Sequence, residues 1–378
     1  MPPAGGAESN GWRNPASACS VQPTTMPKLP LSLSRFPAAV ATLAAVVAWA
    51  AAGSQLSAAD FQGCLDERSY AVFDALFLQR NNASISRPVV VKSTAPSNAV
   101  LGAADPVSTI GTGARLTYGT YGEEDLGWEV GYLGVYGMHA ARAVSDPAGT
   151  LQAADPVFAQ QTGLVDGFGA WLTNDSQINS LEANVVMHEY DGGFNRRSGR
   201  PWQRVDWYDG GHVDWLAGFR WANLYDTATL AIPPGTSTIP STYAAQASSN
   251  LFAAQLGTRG RLAFERWAFE GWMKIGIAGT ALSQSQSLVD ALSPTPFRQP
   301  TSSDTAGMGM IADMNLSAIY RLDDVWGLRV GYNLFWLTGV ALAADQWDFS
   351  ANQAGGTALQ GTGSVFLNGA NLGLEARW

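Results

Sequence analysis

Fourteen ionisable side chains recur on the polar faces of segments whose opposite faces are apolar. Alternate residues of a β-strand point to opposite sides, so one face would collect these groups in a shared interior. Both signs of charge are present, and a buried charge must be paired or hydrated. The set therefore favours salt bridges that brace a narrow barrel, with charges that set ion selectivity in a pore as the alternative. The predicted lumen-lining residues are Asp74, Arg115, Glu129, Glu182, His188, Asp214, Arg220, Arg259, Glu270, Lys274, Asp313, Arg329, Glu375 and Arg377.

Histidine chemistry would be the main route to an enzyme, and the sequence has three histidines, His139, His188 and His212. His188 with Glu182 or Asp214 would supply a general base and the group that orients it. A single histidine in a polar network is the commoner arrangement. The chain has no GxSxG, HExxH or P-loop pattern. We therefore expect no enzyme and no catalytic residues.

The sequence also lacks the residues that are usual in metal and cofactor sites. Cys19 and Cys64 are the two cysteines, and Cys19 precedes the expected mature chain. Residues 307–312 (GMGMIA) superficially resemble a dinucleotide-binding loop but precede no predicted helix. The acidic residues at 123–125 and 323–324 are more typical of solvated turns than of calcium ligands. We expect no cofactor and no metal.

The composition favours a β-rich protein with a membrane surface. Charged residues make up 14% of the chain, against about 25% in typical globular proteins. The 378 residues include 14 Trp, 11 Tyr, 15 Phe and 41 Gly, which suits many strands with interfacial aromatic anchors. The mean hydropathy of −0.02 excludes a helical membrane protein but not a barrel, in which only alternate residues face lipid. The net charge of −9 excludes nucleic acid as an expected partner.

An export signal is predicted near the N-terminus. Residues 26–59 contain a basic region with Lys28 and Arg35, an apolar core and a small-residue cleavage site that ends at Ala59. An uncleaved membrane anchor is the alternative. Residues 1–25 are a Pro- and Ala-rich extension, which we interpret as a mis-assigned start.

The rest of the chain, residues 60–378, is predicted to form one domain of about ten strands with a residue period of two. The strands run for about ten to fifteen residues, longer than those of a soluble sandwich and suited to tilted membrane strands. They span residues 69–80, 111–121, 126–137, 178–190, 212–226, 250–261, 267–281, 306–320, 325–340 and 363–378.

The last segment, residues 363–378, alternates up to the final residue, Trp378. A closed barrel needs its last strand to pair with its first, and an aromatic residue suits the membrane interface. The end of this segment resembles the assembly signal of bacterial outer-membrane proteins, although Ala376 stands where that pattern prefers an aromatic residue. We therefore expect the barrel-assembly machinery to be a partner through this strand.

The connections between the segments alternate in length. Short polar turns follow the second, sixth and eighth segments, whereas connections of roughly twenty or more residues follow the odd-numbered segments. Short turns on one side, with both termini, and long extracellular loops on the other are the layout of an outer-membrane barrel. Residues 191–211 break this scheme, so we expect about 10 strands within a range of roughly 10–12.

Tryptophans near the strand ends indicate two membrane interfaces. A soluble β-sandwich would instead hold these side chains in its core. The predicted interface and assembly residues are Trp128, Trp215, Trp221, Trp267, Trp326, Trp336 and Trp378.

Seven short segments carry a resemblance to a known family. They are residues 71–77 (AVFDALF), 113–115 (GAR), 127–132 (GWEVGY), 180–184 (SLEAN), 216–220 (LAGFR), 250–252 (NLF) and 331–332 (GY). In their order and spacing they resemble the putative β-barrel porin-7 family, a group expanded in planctomycetes. The resemblance implies an outer-membrane barrel and a pore, but it supplies neither catalytic residues nor a substrate.

The sequence thus predicts an all-β, antiparallel, up-and-down transmembrane barrel in the outer membrane, in contact with its lipids. The expected function is a narrow passive pore for ions or small solutes. Because ten strands leave little free bore, a plugged structural or loop-binding barrel without transport is the alternative. An outer-membrane enzyme and a soluble exported β protein are less favoured.

Overall fold

The computed structural model describes residues 69–81, 84–121, 126–189, 210–235, 237–264 and 266–378. Among these residues, no helix is long and apolar enough to cross a membrane. Short helices span Pro156–Thr162 and Ala343–Gln346. In chain order the strands are β1 Ser69–Arg80, β2 Pro88–Lys92, β3 Ala95–Gly102, β4 Ile110–Tyr121, β5 Leu126–Ser145, β6 Leu151–Ala153, β7 Gly169–Glu189, β8 Gly210–Ile232, β9 Ser241–Phe264, β10 Trp267–Val289, β11 Thr301–Arg321, β12 Trp326–Val340 and β13 Gly363–Arg377.

Ten of these strands form a closed barrel. They follow one another around the wall as β1, β4, β5, β7, β8, β9, β10, β11, β12 and β13, and β13 returns to pair with β1. Every neighbouring pair is antiparallel. The predicted all-β, up-and-down barrel of about ten strands is confirmed.

The seam between the first and last strands closes the wall. Tyr70 of β1 pairs with Arg377 of β13, and the register continues without a shift to the pair of Arg80 and Leu367. The backbones of Ser69 and Trp378 exchange two hydrogen bonds of 2.9 Å, so the pairing reaches the final residue. This is the pairing that the alternation of the last segment predicts.

Several strands extend farther at one end than the sequence predicts. β7 begins at Gly169 instead of residue 178, and β9 begins at Ser241 instead of residue 250. The predicted long connections after β8 and β10 are therefore wrong, because they span only residues 233–240 and 290–300. On β9 the added residues are mainly Ala, Ser and Thr, which differ little in hydrophobicity, so the sequence hides the inward–outward alternation that their burial shows.

Some predicted features fall outside the described residues. They are the extension 1–25, the signal segment 26–59 and most of the irregular connection at 191–211.

Two long connections form a small sheet at the end of the barrel away from the described termini. The connection from β1 to β4 carries β2 and β3, and that from β5 to β7 carries β6 and the helix Pro156–Thr162. β2 pairs with both β3 and β6 in a small sheet. Val89 and Val90 of β2 are fully buried and pack in one cluster with Leu230 and Tyr243 of the barrel wall. The sheet therefore helps to fill this end of the barrel.

The outer surface carries an apolar band. On β10 the band runs from Trp267, which is 50% exposed, to Ile277, which is 69% exposed. The strand covers about ten residue steps of roughly 3.3 Å between these two residues and is tilted by about 40° from the barrel axis. The band is therefore about 25 Å high, the usual thickness of the apolar band of outer-membrane barrels.

The predicted interface tryptophans lie on this outer surface. Trp221 and Trp336 lie well inside their strands, and Trp221 is half-buried. The others lie at the end of the barrel that holds the described termini, and each is 38–50% exposed: Trp128, Trp215, Trp267, Trp326 and Trp378.

Replacement of Gly373 by valine tests the seam. A Cβ atom at this position would clash with the carboxylate of Asp74 and the carbonyl oxygen of Phe73 on β1. Gly279 on the outer face of β10 is a matched control, because a Cβ there meets nothing within 4 Å. We expect Gly373→Val to lose about 1–3 kcal/mol of stability, as overpacked sites do, and Gly279→Val to fold like the parent. Heat-modifiable migration after refolding in detergent measures this, and equal folded fractions would contradict the account.

Candidate functional site: the interior of the barrel

Charged side chains crowd the interior of the barrel half nearer the described termini. Seven basic and seven acidic residues lie there, nearly all of them buried, and their formal charges cancel. We call this set the charge lattice. Its basic members are Arg115, Arg220, Arg259, Arg261, Lys274, Arg329 and Arg377, and its acidic members are Asp74, Glu129, Glu182, Asp214, Glu270, Asp313 and Glu375.

Eight lattice residues form one chain of ion pairs across the lumen. Acid and base alternate at every step, and the residues come from seven strands, β4, β5 and β7–β11. The pairs therefore connect parts of the wall that are far apart in sequence. The order is Asp214, Arg259, Glu129, Lys274, Glu182, Arg220, Asp313 and Arg115, with successive N···O distances of 2.6, 2.6, 2.8, 2.7, 3.3, 2.7 and 2.9 Å.

The other six lattice residues form a compact cluster at the seam. Three arginines each contact both Glu270 and Glu375, at N···O distances of 2.7–3.2 Å. Asp74 of β1 lies 3.7 Å from Nε of Arg329. The cluster thus joins β1, β9, β10, β12 and β13. The three arginines are Arg261, Arg329 and Arg377.

Two tyrosines complete the first chain of pairs. The Tyr70 hydroxyl donates to Glu129 at 2.6 Å and accepts from Arg259 at 2.8 Å. The Tyr121 hydroxyl donates to Asp214 at 2.8 Å and also accepts from Arg259. The carboxylates of this chain are therefore satisfied within the protein, which is the arrangement that buried charges require.

Trp272 lies in the middle of the lattice. It is on the inward face of β10 between Glu270 and Lys274, and three cations surround its ring. The guanidinium of Arg115 lies 5.1 Å from the ring centroid, that of Arg329 5.8 Å, and the Lys274 ammonium 6.0 Å. Cation–π attraction of this kind strengthens when the groups are shielded from water.

The structure brings together thirteen of the fourteen residues predicted to line the lumen. The remaining one, His188, has its backbone in β7 opposite Asp214, but its side chain lies outside the described residues. Sequence reasoning missed Arg261 and Trp272. Arg261 lies two residues after the inward-facing Arg259 on β9, and Trp272 lies between Glu270 and Lys274 on β10. The residue period of two could therefore have predicted that both face inward.

Little space is left inside the lattice. A cavity of about 20 Å³ is lined by Trp272, Lys274 and other lattice residues, and it has room for about one water molecule. Above the lattice, inward-facing apolar side chains form a second layer with exposed fractions of 0–3%. This layer includes Leu76, Leu133, Ile178, Leu224, Leu251, Phe335 and Leu337.

The connection from β12 to β13, residues 341–362, enters the barrel above the apolar layer, and we call it the plug. Leu342 and Trp347 are 0% and 2% exposed. The backbone N–H of Ala343 donates to the Asp226 carboxylate of β8 at 2.8 Å, and Asp226 is also ion-paired with Arg80. The start of the plug is thus fastened to the wall.

Arg298, between β10 and β11, fastens the outer part of the plug. Its guanidinium donates to the carbonyl oxygens of Asp348, Ser350 and Asn352 at 2.9–3.2 Å. The Asp348 carboxylate accepts from the backbone N–H of Ser350 at 2.9 Å and of Gly356 at 2.8 Å. Burial raises the pKa of Asp348, but these hydrogen bonds and the Arg298 charge outweigh it and hold the pKa below its ordinary value.

The comparison with known families agrees with this architecture. The family described as putative beta barrel porin-7 (BBP7) matches residues 81–378. The chain belongs to this family. This protein is therefore a porin-like outer-membrane β-barrel, as its sequence resemblance implied.

Solved structures resemble this chain only distantly. A major outer membrane protein from Thermus thermophilus is 12% identical, with 83% of this chain and 100% of that chain covered and a TM-score of 0.33. Neisserial surface protein A is 10% identical, with coverages of 82% and 97% and a TM-score of 0.25. A Pseudomonas aeruginosa FadL homologue is 9% identical, with coverages of 83% and 90% and a TM-score of 0.24. None of the curated proteins matches this sequence.

Removal of one lattice cation should destabilise the barrel strongly. Arg329→Met leaves Glu270 and Glu375 short of a partner in a buried site, which typically costs about 3–5 kcal/mol. Addition of Glu375→Gln restores the charge balance of the cluster and should recover part of that loss. The exposed Arg142→Met is the control and should change stability by less than about 0.5 kcal/mol. Urea unfolding in detergent or lipid vesicles measures this, and similar midpoints for Arg329→Met and Arg142→Met would contradict the account.

Proposed function

We propose that this protein is a plugged outer-membrane barrel that holds a rigid loop assembly at the cell surface and conducts no solute in the described conformation. The observation that carries the proposal is the filling of the interior along its length. The charge lattice, the apolar layer and the plug follow one another inside the wall. Nearly all side chains of the lattice and the apolar layer are buried, as are residues 341–347 at the start of the plug.

The chemistry of the lattice supports this proposal. A selective pore presents its charges to a water-filled path, where passing ions exchange with them. Here six of the seven carboxylates accept hydrogen bonds from basic or tyrosine side chains of the same interior, as Glu129 does from Tyr70, Arg259 and Lys274. The seventh, Asp74, lies 3.7 Å from Nε of Arg329 without a hydrogen bond. These charges brace the wall.

The narrow passive pore predicted from the sequence is the second candidate, favoured by the small polar cavity within the lattice. For ions to pass, at least one chain of pairs would have to open. Each opened pair leaves buried charges without a partner, at a cost of several kcal/mol. Ion transport, contact with outer-membrane lipids, assembly through the C-terminal strand and export after cleavage near Ala59 all stay predictions.

Single-channel recording decides between the two candidates. The chain from residue 60 to 378 is refolded and inserted into planar bilayers, beside a variant in which residues 343–360 are replaced by a short Gly/Ser linker. We expect no discrete current steps from either protein, because the lattice and the apolar layer fill the barrel below the plug. Protection of the barrel from protease in lipid vesicles serves as the control for insertion.

Reproducible steps from the parent chain would overturn the proposal and establish a pore. A change of ion selectivity in Arg220→Ala or Glu270→Ala would then place the lattice on the ion path. Steps from the linker variant alone would also overturn it, since the plug would then be a gate.

A further inference from the structure

A row of asparagines crosses the outer wall at the upper limit of the apolar band. Asn179 of β7 lies opposite Asn223 of β8, and Asn223 lies opposite Asn250 of β9. The next outward-facing residues below the row are apolar, and Leu181 and Phe252 are 51% and 48% exposed. We call the three asparagines, which are half-buried, the asparagine ladder.

Aromatic side chains donate hydrogen bonds to the two outer asparagines of the ladder. Oδ1 of Asn179 accepts hydrogen bonds from the hydroxyls of Tyr132, at 2.9 Å, and of Tyr136. At the other end, Nε1 of Trp221 donates to Oδ1 of Asn250 at 3.2 Å. The aromatic groups thus hold the two outer amides in fixed orientations.

Gly134 of β5 lies in the same row, opposite Asn179. A Cβ atom at this position would lie 2.5 Å from the Tyr132 hydroxyl and 2.9 Å from the Tyr136 hydroxyl. Glycine therefore lets both hydroxyls converge on the ladder.

These hydrogen bonds occupy the amide oxygens, and the amide N–H groups of the two outer asparagines remain available as donors. The Oδ1 atoms of Asn179 and Asn250 are acceptors, but their Nδ2 groups donate to no described residue. Each Nδ2 carries two N–H donors. A half-buried amide beside hydrocarbon needs an acceptor, because an unmade hydrogen bond there costs free energy. The outer surface at this level therefore offers donors to a molecule that brings acceptor oxygens.

The surroundings of the ladder select against an anionic ligand. Among the outward-facing residues above it on β7, β8 and β9, the single charged group is Asp175, which pairs with His139 at 2.7 Å. A phosphate would find no outward cation on these described strands. This holds for the outward-facing side chains of residues 171–177 on β7, 225–231 on β8 and 242–248 on β9.

We propose that the asparagine ladder and its flanking aromatic rings bind the uncharged sugar headgroup of a glycolipid in the adjoining membrane leaflet. Sugar hydroxyl oxygens accept hydrogen bonds from the free amide donors. The C–H face of a sugar ring packs on the half-exposed rings of Tyr136 and Trp221, as amphipathic interfacial aromatics allow. The acyl chains lie against the apolar band directly below.

Native mass spectrometry tests this inference on the chain from residue 60 to 378, in a detergent whose headgroup is not a sugar. The probe is monogalactosyl diacylglycerol, and the comparison lipids are phosphatidylglycerol and diacylglycerol with the same acyl chains. The test variant is Asn179→Leu with Asn250→Leu, both on the outer face. Its matched control is Asn368→Leu, because Asn368 makes a similar outward bond with Tyr332, at 2.8 Å, on the far side of the barrel.

We expect the parent and Asn368→Leu to retain the galactolipid more tightly than either comparison lipid. The double variant should bind it roughly tenfold or more weakly, since one lost hydrogen bond of about 1.4 kcal/mol is a tenfold change in Kd. Equal retention by the double variant, or a preference for phosphatidylglycerol, would overturn the proposal. So would a peak of two barrels that disappears in the double variant, which would make this face a contact between copies. Heat-modifiable migration of each variant confirms that the barrel is folded.

Discussion

The cancellation of charge inside the barrel is the constraint on which the rest of the structure depends. Seven cations and seven carboxylates lie together inside the barrel, nearly all of them buried and with only small cavities between them, so each needs a partner of opposite charge, mostly on another strand. Glu129 of β5 illustrates this, because its two ion-pair partners come from β9 and β10. Such pairs are satisfied together only when the wall is closed and every strand is in register.

The layers above the lattice follow from the same constraint. Above the ion pairs, the middle of the barrel is packed with apolar side chains such as Leu224 and Phe335. The plug then closes the other end, and its polar backbone groups bond to wall residues such as Asp226 and Arg298. These contacts satisfy polar groups of the plug that would otherwise be buried without a partner.

Much of this could be predicted from the sequence, because a period of two is a local signal. Alternation identified all ten barrel strands and the shared face of residues such as Glu270 and Arg329. It failed where the two faces have similar composition, as in the Ser- and Ala-rich start of β9. The pairing of particular charges, the inward path of the plug and the cations around Trp272 depend on contacts between distant strands, which no local pattern contains.

Reagent access to the apolar layer is the most direct test of a closed interior. Ala278 faces inward on β10 and is 1% exposed. In the chain from residue 60 to 378, which lacks Cys19, Ala278→Cys with Cys64→Ser therefore places a single thiol in that layer. In lipid vesicles, we expect a small charged methanethiosulfonate reagent to leave this thiol unmodified, while a cysteine at the exposed Asp304 reacts at once. Rapid modification at position 278 would show that water and ions reach the middle of the barrel, and it would contradict the plugged structure proposed for this protein.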